Sequence, residues 1–291
     1  MDTMVEYTIV ASSQREAFQA MMAAHDEIER VSSLLWEEDP KSEIRRLNEA
    51  SGEVELSPEV YEFLARSLEY YRQTSGRFDL SIGPVLKLYP FESEVPVPPS
   101  PAEIQAKLAF VGMDRLQFVA PGRVARPDSL LLAVGGVAKG YAVDRAIEVL
   151  RSHGIEGAIV NAGGDLYCLG TNNGRPWVVG IQRPDDPNAV IDTLHVSDGA
   201  VATSGDYQRF FEYDGVRYHH VIDPSNGLPA RLSRSATVLA PTTEQADALA
   251  TALFIAGPEA GLAMLDSLEN VSGMVLGLDL QKYPSQNYPS P

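Results

Sequence analysis

The feature that most constrains the fold is a hairpin signal at Asp214-Gly215. These two residues separate two runs rich in aromatic and β-branched residues within the segment 210–220. A two-residue type I′ turn needs positive φ at both central positions, and Asp-Gly is among its preferred pairs. We therefore predict a two-residue β-hairpin. An antiparallel pair, with other short strands mixed among helices, favours an α+β fold over a regular parallel α/β sheet.

Helix-start signals recur along the chain. A Ser or Thr N-cap opens a predicted helix in four places: Ser13 with Glu16, Ser57 with Pro58, Ser100 with Pro101 and Glu103, and Thr242 with Gln245. The first helix follows a strand predicted over residues 4–11. Its helical spacing predicts a core-facing stripe of Phe18, Met21, Met22, His25, Ile28 and Leu35. We expect the last helix to cover residues 244–256 and to end at Gly257-Pro258.

The net charge argues against one class of function. The 291 residues include 23 Lys and Arg against 40 Asp and Glu, a formal net charge of −17. Nucleic-acid binders neutralise phosphates with basic side chains, so a non-specific nucleic-acid binder is excluded. A hydrophobic content of 44% with 22% charged residues is that of an ordinary globular protein. No stretch approaches the ~18 consecutive apolar residues of a membrane-spanning helix, so no such segment is predicted.

We predict a single domain over residues 1–280. A proline-rich loop at 91–100 is where a subdomain boundary could fall, and residues 281–291 are predicted to form a loose tail. The single cysteine, Cys168, lies in an apolar run and is predicted to be a buried small hydrophobic residue. The first ten residues lack the features of a signal peptide, so we expect either a chain made without a leader or one whose leader has been removed.

Two glycine-rich turns are candidate ligand sites. Gly135-Gly-Val-Ala-Lys-Gly140 follows an apolar strand predicted from Leu130 and precedes a helix predicted over 141–150. Its backbone N–H groups and Lys139 could therefore approach a phosphate. Asn161-Ala-Gly-Gly-Asp165 follows another predicted strand and allows close approach to a ligand or to a second strand. Taken singly, a tight structural turn explains each motif at least as well.

Two further clusters carry groups capable of chemistry. His219 and His220 are consecutive on a predicted strand, so at most one of them faces a given pocket. Asp247 and Thr251 are four residues apart on a predicted helix, so their oxygens lie on one face and suit Mg²⁺. On spacing alone, a purely structural role is the better explanation for each cluster.

The motifs acquire meaning as an ordered set. In chain order they are Met1-Asp-Thr3, Ser42-Glu-Ile-Arg-Arg-Leu-Asn48, Gly76-Arg-Phe-Asp79, Gly135-Gly-Val-Ala-Lys-Gly-Tyr-Ala-Val-Asp144, Asn161-Ala-Gly-Gly-Asp165, Thr203-Ser-Gly205, His220-Val-Ile-Asp-Pro224 and Asp247-Ala-Leu-Ala-Thr251. This set resembles the FAD:protein FMN transferase family, the ApbE-type flavin transferases formerly called thiamine biosynthesis lipoproteins. The resemblance covers nearly the whole chain, to about Leu278.

The resemblance implies Mg²⁺-dependent transfer of FMN from FAD to a Thr or Ser hydroxyl of a target protein, with release of AMP. The implied fold is an α+β arrangement of two T-fold-like subdomains, with antiparallel sheets packed by helices and the flavin site between them. The implied FAD-binding residues are Met1, Trp36, Arg77, Phe78, Asp79, Ala133, Lys139, Val221 and Ile222. The implied magnesium ligands are the carbonyls of Gly136 and Ala250 and the side chains of Asp247 and Thr251.

General chemistry suggests roles for these residues. A phosphoryl centre attacked by a hydroxyl requires charge neutralisation, which a metal on Asp247 and Thr251 and the Lys139 ammonium would supply. His220 is the implied base, and removal of the hydroxyl proton contributes roughly 10²- to 10⁴-fold in rate. Trp36 and Phe78 could offer flat apolar surface for a ring, or either could simply belong to the core.

Two departures from the family pattern bear on the site. Many members have Asp where this chain has Ala133, which removes an acceptor toward FAD, and Tyr89-Pro90 replaces a Trp-Gly pair. Two alternatives stay open: hydrolysis of FAD to FMN and AMP in the same pocket, and a flavin-binding protein without turnover. The presence of His220, Asp247 and Thr251 argues against the second.

The resemblance also implies partners and a location. The partners are FAD and an acceptor protein with a Thr or Ser flavinylation site, such as a subunit of a redox complex. Family members are usually exported and often lipid-anchored, which implies the cell envelope on the periplasmic side. A cytoplasmic location stays open.

Overall fold

A seven-stranded antiparallel sheet organises the molecule in the computed structural model, which describes residues 3–289. The strands are β1 (Val5–Val10), β2 (Gly52–Glu55), β3 (Gln117–Ala120), β4 (Arg123–Arg126), β5 (Gly157–Ala162), β6 (Asp165–Gly170), β7 (Trp177–Arg183), β8 (Asp186–Val196), β9 (Gly199–Gly205), β10 (Phe210–Tyr213), β11 (Val216–His219), β12 (Ser235–Ala240), β13 (Ser272–Leu276) and β14 (Lys282–Pro284). The helices are α1 (Gln14–Leu35), α2 (Glu43–Glu49), α3 (Pro58–Gln73), α4 (Gly83–Leu86), α5 (Pro101–Leu108), α6 (Ala138–Ser152) and α7 (Thr243–Leu265). Antiparallel sheets packed by helices confirm the predicted α+β class.

The large sheet has the order β1-β5-β6-β9-β12-β13-β14, and a different layer covers each face. Helices α6 and α7 pack on one face, with α1 outside them against α6. The β7–β8 ribbon covers the other face and packs on inward-facing side chains that include Cys168, Val201 and Met274. Side chains alternate between faces along a strand, so neighbouring positions such as Leu169 and Val275 join the helix layer instead. Cys168 is buried, as predicted.

The predicted hairpin forms. Strands β10 and β11 pair antiparallel with Tyr213 opposite Val216, which leaves Asp214 and Gly215 as the two turn residues. Their φ angles of 48° and 73° are both positive, as a type I′ turn requires.

The N-cap signals were reliable guides to helix starts. The Ser13, Ser57, Ser100 and Thr242 side chains each accept a backbone N–H at the start of the expected helix. At Ser100 and Glu103 both hydrogen bonds of a capping box form. The Glu16 carboxylate instead accepts from the backbone and hydroxyl of Ser12.

Helix α7 is the one described helix whose length and composition would suit a membrane crossing, with a mean hydropathy of 1.6. Its surroundings are those of a core helix: 56% of that stretch is buried, and the helix packs on β9, β12 and β13. Gly257, with a φ of 73°, interrupts the helix at the predicted Gly257-Pro258 position.

The structure differs from three of the predictions. No strand forms from Leu130; residues 130–136 make a single parallel bridge, Leu131 to Ile82, within the described chain. On α1, Phe18 is 58% exposed and Met22 41% exposed, so both lie off the core face. In the segment predicted to be a loose tail, β14 pairs with β13 and extends the sheet.

Candidate active site

The centre of the candidate site is a lysine between two aspartates. The Lys139 ammonium forms an ion pair with Asp165 Oδ2 and lies 3.6 Å from Asp247 Oδ2. The side chains of Asp165 and Asp247 are 5% and 4% exposed, whereas that of Lys139 is 29% exposed. When both carboxylates are ionised, the three groups carry one net negative charge. The lysine is therefore the member of the group that a substrate can reach.

Burial and mutual proximity change how these groups ionise. Burial, and then the neighbouring Asp165 carboxylate, raise the pKa of Asp247 above its usual value, although Lys139 opposes this. Burial would lower the pKa of Lys139, but the two carboxylates raise it overall, so the lysine is a cation at neutral pH. A buried carboxylate with this surplus of negative charge favours binding of a further cation.

Helices α6 and α7 meet closely enough to fix the relative positions of Lys139 and Asp247. The Asp144 carboxylate on α6 accepts the backbone N–H groups of Thr243 and Glu244, at 2.7 and 2.8 Å, and so caps α7. A Cβ at Gly140 would lie 2.3 Å from the Thr243 carbonyl oxygen. Gly140 N–H also donates to Asp247 Oδ2 at 3.1 Å. The glycine therefore serves contact between helices, which the sequence did not reveal.

The two segments that carry the predicted magnesium ligands lie next to each other. A Cβ at Gly136 would lie 3.6 Å from Thr251 Oγ1, so this turn faces the α7 residue one turn after Asp247. Ala250 is buried on the same helix, and Ser204 Oγ on β9 lies 3.4 Å from Thr251 Oγ1. An all-oxygen donor set beside a buried carboxylate with a raised pKa fits Mg²⁺.

The donor set contains a single carboxylate. Among residues 3–289, no three His, Cys, Asp or Glu side chains converge on a point suited to a metal. Mg²⁺ typically keeps several waters and takes oxygens from a substrate phosphate, so a site with one carboxylate, one hydroxyl and two carbonyls accords with its habits. The ligand assignment stays a prediction.

His220 has the properties of a base at neutral pH. Its Nδ1 lies 3.3 Å from the Arg209 carbonyl oxygen, which only accepts hydrogen bonds, so Nδ1 carries the proton and Nε2 keeps a free lone pair. Burial lowers the pKa of His220 to about 4, and the positive charge of Lys139 adds to the effect. The imidazole is therefore neutral and lies within electrostatic reach of Lys139.

The neighbouring histidine faces elsewhere. His219 Nε2 lies 2.8 Å from the Ala230 carbonyl oxygen, and the ring packs edge-on against Phe254 of α7. Burial lowers its pKa to about 4 as well. Strand β11 ends at His219, so His220 lies just beyond the strand on which both were predicted. The two imidazoles nevertheless have separate surroundings, and His219 belongs to the core.

Two of the predicted flavin-binding residues, Phe78 and Asp79, are consecutive in the chain. Phe78 lies beside the Gly136 turn, because a Cβ at Gly136 would lie 3.7 Å from its ring, but the ring itself is only 2% exposed. Asp79 accepts hydrogen bonds from Ser81 N and Oγ, and burial raises the pKa of Asp79 to about 6. It borders a cavity of about 400 Å³. That cavity is also lined by Tyr71, Gln105, Leu108 and Pro224.

Apart from Lys139, the other predicted flavin-binding residues make local contacts, and within residues 3–289 none of them bonds to Lys139, Asp165 or Asp247. Val221 and Ile222 are buried. The Val221 carbonyl accepts the Ala230 N–H at 3.0 Å, and Ile222 lies opposite Pro229 in an isolated antiparallel bridge. Ala133 donates its N–H to the Leu80 carbonyl, at 2.7 Å. Trp36 and Arg77 make no hydrogen bond or ion pair to Lys139 in the described chain, and Met1 lies outside the described residues.

The sequence does not reveal the structural roles of two residues that help to form the site, Asn48 and Asp165. The Asn48 side chain donates to the Leu132 carbonyl at 2.9 Å and accepts from its N–H at 2.8 Å, which holds the extended segment before Gly135. Asp165 was noted only as the end of a turn, yet it is the tighter partner of Lys139. Both residues belong to motifs in the sequence, but nothing local to those motifs identifies their partners.

Comparisons with known proteins identify the family of this chain. A family model described as the ApbE family matches residues 1–275. Two curated proteins named FAD:protein FMN transferase are similar. The one from Vibrio cholerae is 33% identical, covering 85% of this chain and 77% of its own, and the one from Treponema pallidum is 31% identical, covering 87% and 77%.

Solved structures show the same fold over nearly the full length. The ApbE protein from Thermotoga maritima superposes with a TM-score of 0.90 at 32% identity, covering 98% of this chain and 97% of that one. The flavin transferase ApbE from Vibrio cholerae superposes with a TM-score of 0.86 at 28% identity, covering 99% and 95%. On the family match and these likenesses, the chain belongs to the ApbE family.

Proposed function

We propose that this protein transfers FMN from FAD to a Ser or Thr hydroxyl of an acceptor protein in a Mg²⁺-dependent reaction that releases AMP. The names of its curated relatives support the transfer of FMN to protein. The observation that carries the proposal is the neutral His220, with a free Nε2, within electrostatic reach of the Lys139, Asp165 and Asp247 group. A base beside a phosphate-binding charge centre is what hydroxyl attack on a pyrophosphate requires.

The chemistry follows from these positions. The acceptor hydroxyl oxygen forms a bond to the FMN phosphorus, and the bond from that phosphorus to the bridging oxygen breaks. AMP leaves with the bridging oxygen. His220 Nε2 takes the hydroxyl proton as the new bond forms, which a protonated imidazole could not do.

The charge that develops on the pyrophosphate needs nearby positive groups. The Lys139 ammonium, held by Asp165 and partly exposed, reaches toward the substrate and attracts phosphate oxygens. Asp247, Thr251 and the carbonyls of Gly136 and Ala250 would hold the Mg²⁺. When bound, magnesium neutralises phosphate oxygens and orients them for attack in line.

The flavin part of the substrate would contact apolar walls. Trp36, at the C-terminal end of α1, would offer a flat surface for the ring. Phe78, Val221 and Ile222 are 2%, 6% and 5% exposed, so they would support the site from the core behind it. Ala133 provides a methyl group where an acceptor would otherwise lie. We infer that orientation of FAD depends more on phosphate and ring contacts here than on that position.

The decisive experiment is mass spectrometry of an acceptor domain with a flavinylation-site Ser or Thr, after incubation with this protein, FAD and Mg²⁺. We expect a mass gain of one FMN on the acceptor and an equal amount of AMP. Release of AMP and FMN without acceptor modification would indicate an FAD hydrolase. Binding of FAD with no product would indicate a flavin-binding protein.

A further inference from the structure

The strongest unexplained feature of the site is that the Lys139 ammonium lies closer to the Asp165 carboxylate than to the Asp247 carboxylate. The ammonium is in close contact with Asp165 Oδ2 but 3.6 Å from Asp247 Oδ2. Asp165 is not among the predicted ligands of the metal or of FAD. A buried carboxylate needs a cationic or hydrogen-bonding partner, and Lys139 is the cation that Asp165 contacts within the described chain.

The backbone holds Asp165 firmly in this position. It pairs with Ala162 across a two-residue turn, in which Gly163 and Gly164 both have positive φ, 65° and 101°. The Asn161 side chain accepts the Gly164 N–H at 2.9 Å and closes the turn. Because this hairpin belongs to the central sheet, Asp165 has little freedom to follow Lys139 if the lysine moves.

Asp247 depends on where the lysine is held. Both of its contacts from residues 3–289, the Gly140 N–H and the Lys139 ammonium, are made by Oδ2. If Asp165 lost its charge, Asp247 would be the carboxylate left for Lys139 to pair with. The lysine would then neutralise the one acidic side chain of the predicted magnesium site.

We propose that Asp165 is a positioning residue that holds the Lys139 ammonium off Asp247 and so keeps the Asp247 carboxylate available to a divalent cation. The inference rests on the magnesium site of the proposed function. With Lys139, Asp165 and Asp247 all ionised, the three side chains carry one net negative charge, and replacing Asp165 by asparagine reduces that charge to zero. Both this loss of negative charge and the competition from Lys139 for Asp247 would weaken the binding of a divalent cation. Residues that position a ligand of a metal typically change metal affinity by about 10- to 100-fold when replaced.

The test measures binding of Mn²⁺ alone to the folded full chain, from the electron paramagnetic resonance signal of the free ion. We expect Asp165→Asn to weaken Asp247-dependent Mn²⁺ binding by at least about tenfold. Lys139→Met should strengthen it, because the competing cation is gone. The double variant Asp165→Asn with Lys139→Met should return to within about threefold of the unmodified protein, since it has the same net charge and no competitor.

A matched control is Asp192→Asn, which removes one carboxylate from an Asp–Lys pair elsewhere, 3.2 Å from Lys282. It should leave Mn²⁺ binding unchanged. A double variant as weak as Asp165→Asn alone would show a merely structural role and overturn the proposal. Mn²⁺ binding that Asp247→Ala does not reduce would overturn it too, while FMN transfer in the same preparation would leave the proposed function standing.

Discussion

His220 is competent as a base because a backbone carbonyl fixes its tautomer. Arg209 O accepts from Nδ1, and burial keeps the ring neutral far below pH 7. A protonated imidazole, or the other tautomer, would present an N–H where a proton must be received. The sequence motif identified this residue, whereas its tautomer follows from a carbonyl eleven residues away in the chain.

Replacing His220 should separate chemistry from binding. We expect His220→Ala to bind FAD nearly as well as the unmodified protein and to lose about 10²-fold or more in FMN transfer. FAD binding followed by flavin fluorescence, with acceptor modification followed by mass spectrometry, checks both parts. Parallel loss of binding and transfer in a folded variant would make His220 a binding residue.

His219 should make stability depend on pH in a predictable direction. Its folded-state pKa of about 4 lies below the usual 6.5, so its contribution is fully present above pH 6.5 and is lost as the pH falls toward 4. The shift corresponds to about 3 kcal/mol. We expect His219→Gln, which keeps an N–H for Ala230 O, to lose less stability than the unmodified protein between pH 7 and pH 4.5.

Denaturant unfolding at the two pH values measures this difference. His220 titrates in both proteins, so its effect cancels in the comparison. An equal loss of stability in both proteins would mean that His219 is protonated in the folded state at pH 4.5.

At the scale of elements, the helix pair α6 and α7 is the frame of the site. Residues of α6 contact α7 at its start and along its length: Asp144 caps its N-terminus, Gly140 N–H donates to Asp247, and Gly140 gives room for the Thr243 carbonyl. Distances between Lys139 and Asp247 thus depend on how closely the helices approach.

A methyl group at position 140 should push the helices apart. We expect Gly140→Ala to destabilise the protein by about 1–3 kcal/mol, because the new Cβ meets the rigid backbone of α7. Gly135→Ala is the matched control: a Cβ there meets nothing within 4 Å, and the change should be within about 0.5 kcal/mol. Thermal unfolding of both variants measures the difference, and equal melting temperatures would contradict the close-contact interpretation.

Elements with local signals were predictable, and elements defined by distant partners were not. The Asp214-Gly215 hairpin and the N-caps form as expected because four to six neighbouring residues determine them. The apolar segment after Leu130 looks like a strand, but Asn48 and the Leu80 carbonyl bond it in place of a ladder. On α1, Ala20 and Ala24 face the core. A prediction that considers only large apolar residues does not detect a helix face on which small alanine side chains pack closely.

The candidate site also combines residues that have a local sequence signal with contacts that depend on distant partners. The resemblance of the ordered motifs to a family implies site roles for Lys139, Asp247 and Thr251, and the fold brings their segments together. The pairing of Lys139 with Asp165 joins residues of α6 and β6, 26 positions apart. No local pattern at either residue specifies such a contact, since it depends on how the helix packs on the sheet.

At the scale of the whole molecule, the β7–β8 ribbon protects the sheet face opposite the helices. The ribbon covers Cys168, Val201 and Met274 of the sheet. Alternating residues of β7 are buried and pack against these side chains. Without the ribbon this apolar face would meet water. Cys168 is therefore a reporter of whether the two layers stay together.

The thiol should be inert in the native protein. Burial raises the pKa of Cys168 to about 12, and its exposed fraction is 0%, so the reactive thiolate is both scarce and inaccessible. We expect an aromatic disulfide reagent at pH 8 to modify Cys168 only at the rate of unfolding, and at once in denaturant. Rapid modification in native buffer, with the helix signal retained, would show that the ribbon opens by itself.

The two outer strands of the main sheet come from the two ends of the described chain. Val5 of β1 pairs with Ala162, 157 positions later, and β14 adds the opposite edge from residues 282–284. Contacts between residues so far apart close large loops, which slows folding. During synthesis Val5 must wait until another 157 residues have been added before its partner, Ala162, exists. The unpaired edge of β1 is thus exposed for longest in the nascent chain, which is where a chaperone would be of most use.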